Sequence, residues 1–155
     1  MGIDRAFILL HLVGFAAFLG GAFAQTQFLK MSQKSGLATA VRDEYERLAA
    51  AISTKVELPV LFAQVVTGTV LMVHEGYAKQ HWLHAKMSVV LALLVLAHLE
   101  MFNARKIVKA RAARGDAAEG EIAAMKKKHG VMGAIGTLLV VAVVVLAMWR
   151  ESIVP

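Results

Sequence analysis

The sequence predicts an all-α fold class, a polytopic membrane four-helix bundle with an amphipathic segment between helices 1 and 2, and three observations predict it. Of its 155 residues, 58% are hydrophobic and the mean hydropathy is +0.61, which is too apolar for an ordinary water-soluble domain. Four apolar runs recur, each able at ~1.5 Å per residue to cross or nearly cross a ~30 Å hydrocarbon core. The basic residues behind the +6 formal charge gather between those runs. That distribution is a topology signal rather than a phosphate-reading face, so membrane lipid and no nucleic acid is expected as a partner. The absence of cysteine excludes disulfides, thiolate nucleophiles, iron–sulfur clusters and covalently attached haem.

The first run extends over residues 6–28 and can span. Arg5, the apolar stretch and Ala22-Phe23-Ala24 imitate a signal peptide with its cleavage site, but Asp4 cancels Arg5 and His11 interrupts the apolar core, so the run is read as retained. From Leu29 to Lys55 charged residues alternate with Leu37, Val41, Tyr45, Leu48 and Ile52 at three-to-four spacing, which predicts an amphipathic helix on the membrane surface. A second span follows over residues 56–74. Pro59 is tolerated in its first turns, and Thr67-Gly68-Thr69 offers a small face for helix packing.

Only Glu75 to His81 separates this span from the third, over residues 82–102, so the two form an antiparallel hairpin. The basic, alanine-rich segment Asn103 to Lys128 reads as a helical hairpin or a helix extension. The fourth span covers residues 130–149, with Gly130, Gly133 and Gly136 on one side for close approach. The chain is thus a single transmembrane domain over residues 1–155. Lysine and arginine crowd the first loop (Lys30, Lys34, Arg42, Arg47, Lys55) and the third (Arg105, Lys106, Lys109, Arg111, Arg114, Lys126, Lys127, Lys128), against Lys79 alone in the second. The expectation is a multi-pass protein of the cell inner (plasma) membrane with both termini outside.

Ionisable groups inside apolar spans are costly and mark sites by default. With alternate spans running in opposite directions, His11, His74, His84 and Lys86 converge on the outer leaflet. His98, Glu100, His129, Glu57, Gln25 and Gln27 form a second, less buried group on the inner side. Neutral imidazole between helices is the usual axial ligand of haem b, and Gly14, Ala17, Gly20 and Gly21 offer room for a macrocycle. The expectation is haem b with His11 and His98 as candidate metal ligands, and with Lys86, His84, His74 and Gly21 beside the cofactor. His84 and His98, ~21 Å apart along one helix and within about 40° of one another, also admit a two-haem transmembrane cytochrome. Inner ligands are scarce, so one outer haem is expected. A haem-free structural or assembly subunit is the remaining alternative.

Leu10-His11 followed by Gly21 and Phe23, Glu46-Arg47 ahead of Pro59 and Thr67-Gly68, then Trp82-x-His84-x-Lys86-Met87 and His98, together resemble the HemJ-type protoporphyrinogen IX oxidases over about residues 6–100. The resemblance implies a haem-b-binding membrane oxidoreductase of porphyrin biosynthesis, with His11 and Lys86 as its catalytic residues. It also implies a porphyrinogen substrate and electron transfer to quinone or a redox partner protein. A homo-oligomer is a further expectation. The chain has Ala24-Gln25-Thr26-Gln27-Phe28 where that family has Leu-Pro-Arg-Leu, and Lys126-Lys127-Lys128-His129-Gly130 in place of its Asn-Glu-x-Pro.

Overall fold

A computed structural model describes residues 3–148, all of whose regular structure is helical. The elements are α1 (Ile3–Met31), α2 (Thr39–Ile52), a π-helical turn (Ser53–Glu57), α3 (Leu58–His74), a 3-10 turn (Tyr77–Lys79), α4 (His81–Arg114), a second 3-10 turn (Gly115–Ala118) and α5 (Glu119–Met148). Among the described residues, three helical stretches are long and apolar enough to cross a membrane: Arg5–Met31, Thr39–His74 and His81–Met148, the last comprising α4 and α5 with the turn between them. Their outward faces are apolar, as at Leu138 (70% exposed), Val73 (69%) and Phe23 (67%). Exposure on that scale suits hydrocarbon, not water.

The segment expected to lie apart on the membrane surface instead continues into α3. Ile52, Ser53, Glu57 and Leu58 all keep right-handed helical dihedrals, so α2, the π turn and α3 form one rod. Pro59 explains the wide turn: it has no N–H to give, and its ring crowds the carbonyl of Lys55 four residues earlier. The helix passes that point with the Leu58 N–H bonding back five residues to the Ser53 carbonyl. The segment Asn103 to Lys128 is helical, as expected: α4 runs past Phe102 to Arg114, and α5 starts at Glu119, eleven residues before the predicted span. Gly115, at φ 55, makes the reversal that an L side chain would resist.

The rods pack as two hairpins. α4 lies against α5, while α1 lies against α2 and α3; α1 and α5 barely touch, and so do α3 and α4. Two clusters close the interior. Leu29, Ala49, Ile107, Ala118 and Ile122 fill the inner end, and Phe18, Leu61 and Ala97 fill the middle.

The inner end is closed by charges as well. Glu46, wholly buried, accepts from Arg111 through both oxygens at 3.1 and 2.9 Å and pairs with the Lys126 Nζ at 2.7 Å. Arg111 also reaches Glu119 at 2.7 Å and Asp116 at 3.3 Å. Hydrogen bonds to Glu46 are the main reason that the Arg111 guanidinium holds its proton still more firmly than usual, against the pull of burial. This network, drawn from α2, α4, α5 and the turn, pins α2 against the second hairpin. It is the physical reason that α2 is not a free surface helix.

Candidate functional site

α1 and α3 run antiparallel in a fixed register. His11 Nδ1 lies 2.9 Å from Thr67 Oγ1. A Cβ on Gly14 would sit 2.1 Å from Gln64 Nε2, one on Gly21 would sit 3.0 Å from Glu57 Cγ, and one on Gly68 would sit 3.2 Å from His11 Cε1. Each step along α1 is therefore matched by an equal step back along α3, and the glycines admit the polar side chains of the facing helix. Sequence reasoning assigned Gly14 and Gly21 to a macrocycle and Gly68 to a small face for helix packing, and only the last is the use seen here.

The tautomer of His11 follows from its partner. The Thr67 hydroxyl has one proton, and Oγ1 lies 2.9 Å from the Ala63 carbonyl and 3.2 Å from that of Gln64, so the proton is committed to the backbone. Thr67 Oγ1 therefore accepts from the His11 Nδ1–H. In the neutral ring this leaves the lone pair on Nε2. His11 and Lys86 line one cavity of about 80 Å³ with Gln64, Phe15, Leu83 and Met87. Residues from α1 and α4, seventy-five positions apart, are thus brought to one space, as their depths predict.

The other outer candidates, His74 and His84, are not, both being exposed; His98 of the inner group is exposed too, and its Nδ1–H donates at 2.7 Å to the Leu94 carbonyl of its own helix. His84 and Lys86 are two residues apart on a helix and so point to different sides. Gly21 lies beside Glu57, away from the His11 cavity.

These positions bear on haem b. His11 has the chemistry of an axial ligand, since an Nδ1–H held by a neighbour leaves Nε2 to coordinate. The space is wrong. Cofactor sites run to ~300–1,000 Å³, whereas this cavity holds about 80 Å³. Gln64 occupies the cradle at Gly14, Glu57 that at Gly21, and His98 faces outward. Among the described residues, no three His, Asp or Glu side chains gather as a metal site. As packed, the residues do not fit a haem.

Within the inner group, His98 is exposed and Gln27 half-buried, but the other four members reverse the expectation that this group is the less buried one. Gln25 and Glu57 are each 1% exposed, His129 is 3% and Glu100 is 9%. Among the described residues, Gln25 Oε1, Glu57 Oε1 and both ring nitrogens of His129 have no hydrogen-bond partner. Sequence reasoning missed the role of Gln64 and the register of Thr67. The available signal was the stripe His11, Gly14, Phe18, Gly21 and Gln25 on α1, whose alternating three-and-four spacing marks one packed seam.

No curated protein and no solved structure matches this chain. One family model does, that of the predicted integral membrane proteins designated DUF2269, over residues 6–151. A match over nearly the whole chain, together with apolar helices long enough to span, places the sequence: it belongs to the DUF2269 family of predicted integral membrane proteins.

Proposed function

We propose that this chain crosses the inner (plasma) membrane four times with both termini outside, and that it acts at the His11–Lys86 cavity as a membrane oxidoreductase similar to the HemJ-type enzymes. The observation that carries this reading is the pairing of an oriented imidazole with a lysine in one apolar cavity: Thr67 holds the His11 Nδ1–H, and Lys86 lines the same space. Such a pair suits a substrate that loses protons together with electrons, as a porphyrinogen does. His11 Nε2 takes a proton, the Lys86 ammonium pairs with a substrate carboxylate, and the electrons leave to a quinone or a redox partner protein. The cavity lies between the two hairpins, where packing is sparse, so a larger molecule enters by parting them.

The test is oxidation of protoporphyrinogen IX by purified protein in the presence of a short-chain quinone, followed by the fluorescence of the porphyrin formed. Activity abolished by His11→Ala and by Lys86→Met is the expected result. Rates equal to the uncatalysed background overturn the reading and favour a structural or assembly subunit. The Nδ1–H of His11 on Thr67 favours a second reading, a haem-b protein whose helices open to admit the group. A pyridine-haemochrome signal from wild type that is lost in His11→Ala supports it. For the topology, reporters fused at Gly76 and at Gly115 are expected in opposite compartments, and equal signals from both refute four crossings.

A further inference from the structure

Toward the inner end, α1, α4 and α5 border a second cavity of about 310 Å³, within the ~300–1,000 Å³ of small-molecule sites. It lies one layer of side chains from the first, because Phe18, Leu93 and Val140 line both. Phe23 is also in its wall and is 67% exposed on the lipid-facing side. α1 and α5 barely touch, which leaves a way in between the hairpins. A ligand therefore arrives from the bilayer and has an apolar body.

What else that ligand carries follows from the polar end of the cavity. Glu100, 9% exposed, lines it and has no ion-pair partner among the described residues. A Cβ on Gly133 would come within 3.7 Å of Glu100 Oε1, so this carboxyl group lies against α5 where Gly133 forms the wall. Gln25 of α1, 1% exposed, lines the same space; its Oε1 has no partner among the described residues, and its amide N–H groups are donors. The hydroxyls of Thr26 and Thr137 donate to the Ala22 and Gly133 carbonyls at 2.9 Å, so they have only lone pairs left to offer. Lys30 stands at the exposed rim.

Acceptors thus outnumber donors, but both are present. A ketone would satisfy the Gln25 amide and leave Glu100 and Gln25 Oε1 unpaired, a costly outcome in apolar surroundings. A lipophilic ammonium would meet Glu100 but face Lys30 and the amide donors. A hydroxyl group both donates and accepts, and so answers the whole set.

We propose that the inner cavity holds the head of a lipid-soluble quinone and binds its quinol form the more tightly, the quinol hydroxyls donating to Glu100 and Gln25 Oε1 and accepting from the Gln25 amide. The choice of a quinol among hydroxylated lipids rests on the oxidoreductase reading. A quinone seated there takes two electrons across the wall of Phe18, Leu93 and Val140, and two protons at its ring oxygens from the rim at Lys30, and becomes the quinol. The substrate gives up the same two electrons, and its two protons leave by way of His11.

Binding is measured apart from turnover by titrating the full chain in lipid nanodiscs, under argon and against empty discs, with decylubiquinol and with decylubiquinone. Saturable binding near one per chain is expected, with the quinol held about tenfold more tightly, the worth of roughly one hydrogen bond to a charged group. Glu100→Gln brings the two affinities together, and Ala22→Phe, which puts a ring into the half-buried wall, weakens both. Binding no greater than to empty discs, or equal affinities for the two forms in wild type, overturns the proposal. A photoreactive azidoquinone needs no variant: label on peptides spanning residues 22–30 or 133–140 supports the site, and label confined to the surroundings of His11 and Lys86 or spread evenly over the helices refutes it. Quinol binding without oxidation of protoporphyrinogen supports the site and sinks the redox reading. Oxidation whose dependence on quinone concentration is unchanged in Ala22→Phe sinks the site and spares that reading.

Discussion

Removing Glu46 is the sharpest test of how the inner end is held. Its carboxylate is completely buried and bonded bidentately to Arg111, with Lys126 at 2.7 Å. In Glu46→Ala, Arg111 keeps Glu119 at 2.7 Å and Asp116 at 3.3 Å, while the Lys126 ammonium, 1% exposed at its side chain, loses its ion-pair partner. Breaking a buried pair from one side costs about 3–5 kcal/mol. At ~2–4 °C per kcal/mol for a chain of this size, the melting temperature of the purified protein falls by roughly 6–20 °C. Thermal unfolding in mild detergent, followed by intrinsic tryptophan fluorescence, measures it. Glu46→Gln keeps the shape but not the charge and is expected to lose most of the same stability. Replacing Glu46, Arg111 and Lys126 together by leucine removes the charges buried at the centre of the network but releases Glu119 and Asp116 from Arg111, so it recovers only part of it. Arg42→Ala is the control: its contact with Glu119 is 3.5 Å and half-exposed, worth at most about 1 kcal/mol. A Glu46→Ala shift no larger than that of Arg42→Ala would refute the claim that this network fixes α2 to the second hairpin.

Two further predictions concern the seam between α1 and α3. Thr67→Val removes the acceptor of the His11 Nδ1–H, which costs about 1 kcal/mol of stability and releases the ring. Thr67→Ser restores both, and ring-nitrogen chemical shifts of His11 unchanged between wild type and Thr67→Val count against the tautomer argued above. Gly14→Ala brings a methyl group 2.1 Å from Gln64 Nε2, so it displaces the amide and lowers the melting temperature. Gly20→Ala, with nothing within 4 Å, raises stability by up to about 1 kcal/mol through helix propensity. Equal effects of the two alanines in a thermal-shift assay would show that the register is wrong.

What the sequence could and could not disclose divides along the helix axis and around it. Axial position was legible, because hydrocarbon thickness fixes how long an apolar run must be and a lysine in such a run has a depth. That reasoning alone brings His11 and Lys86 together. Rotation about the axis is set by which face packs, and here the conspicuous Trp82-x-His84-x-Lys86 segment misled. Residues two apart lie ~200° around a helix, so His84 and Lys86 cannot both serve one interior site, and His84 is exposed.

The three-to-four pattern of Val41, Tyr45, Leu48 and Ile52 reads as a lipid-facing stripe, and Val41 and Leu48 are exposed; what the pattern does not disclose is that α2 buries Glu46 and Ala49 against protein. An apolar face against lipid and an apolar face against protein have the same period, so periodicity cannot tell them apart. In a bilayer the more informative stripe is the one that carries small and polar residues. On α1 that stripe is His11, Gly14, Gly21 and Gln25, and each of its members meets or adjoins a polar side chain in the interior.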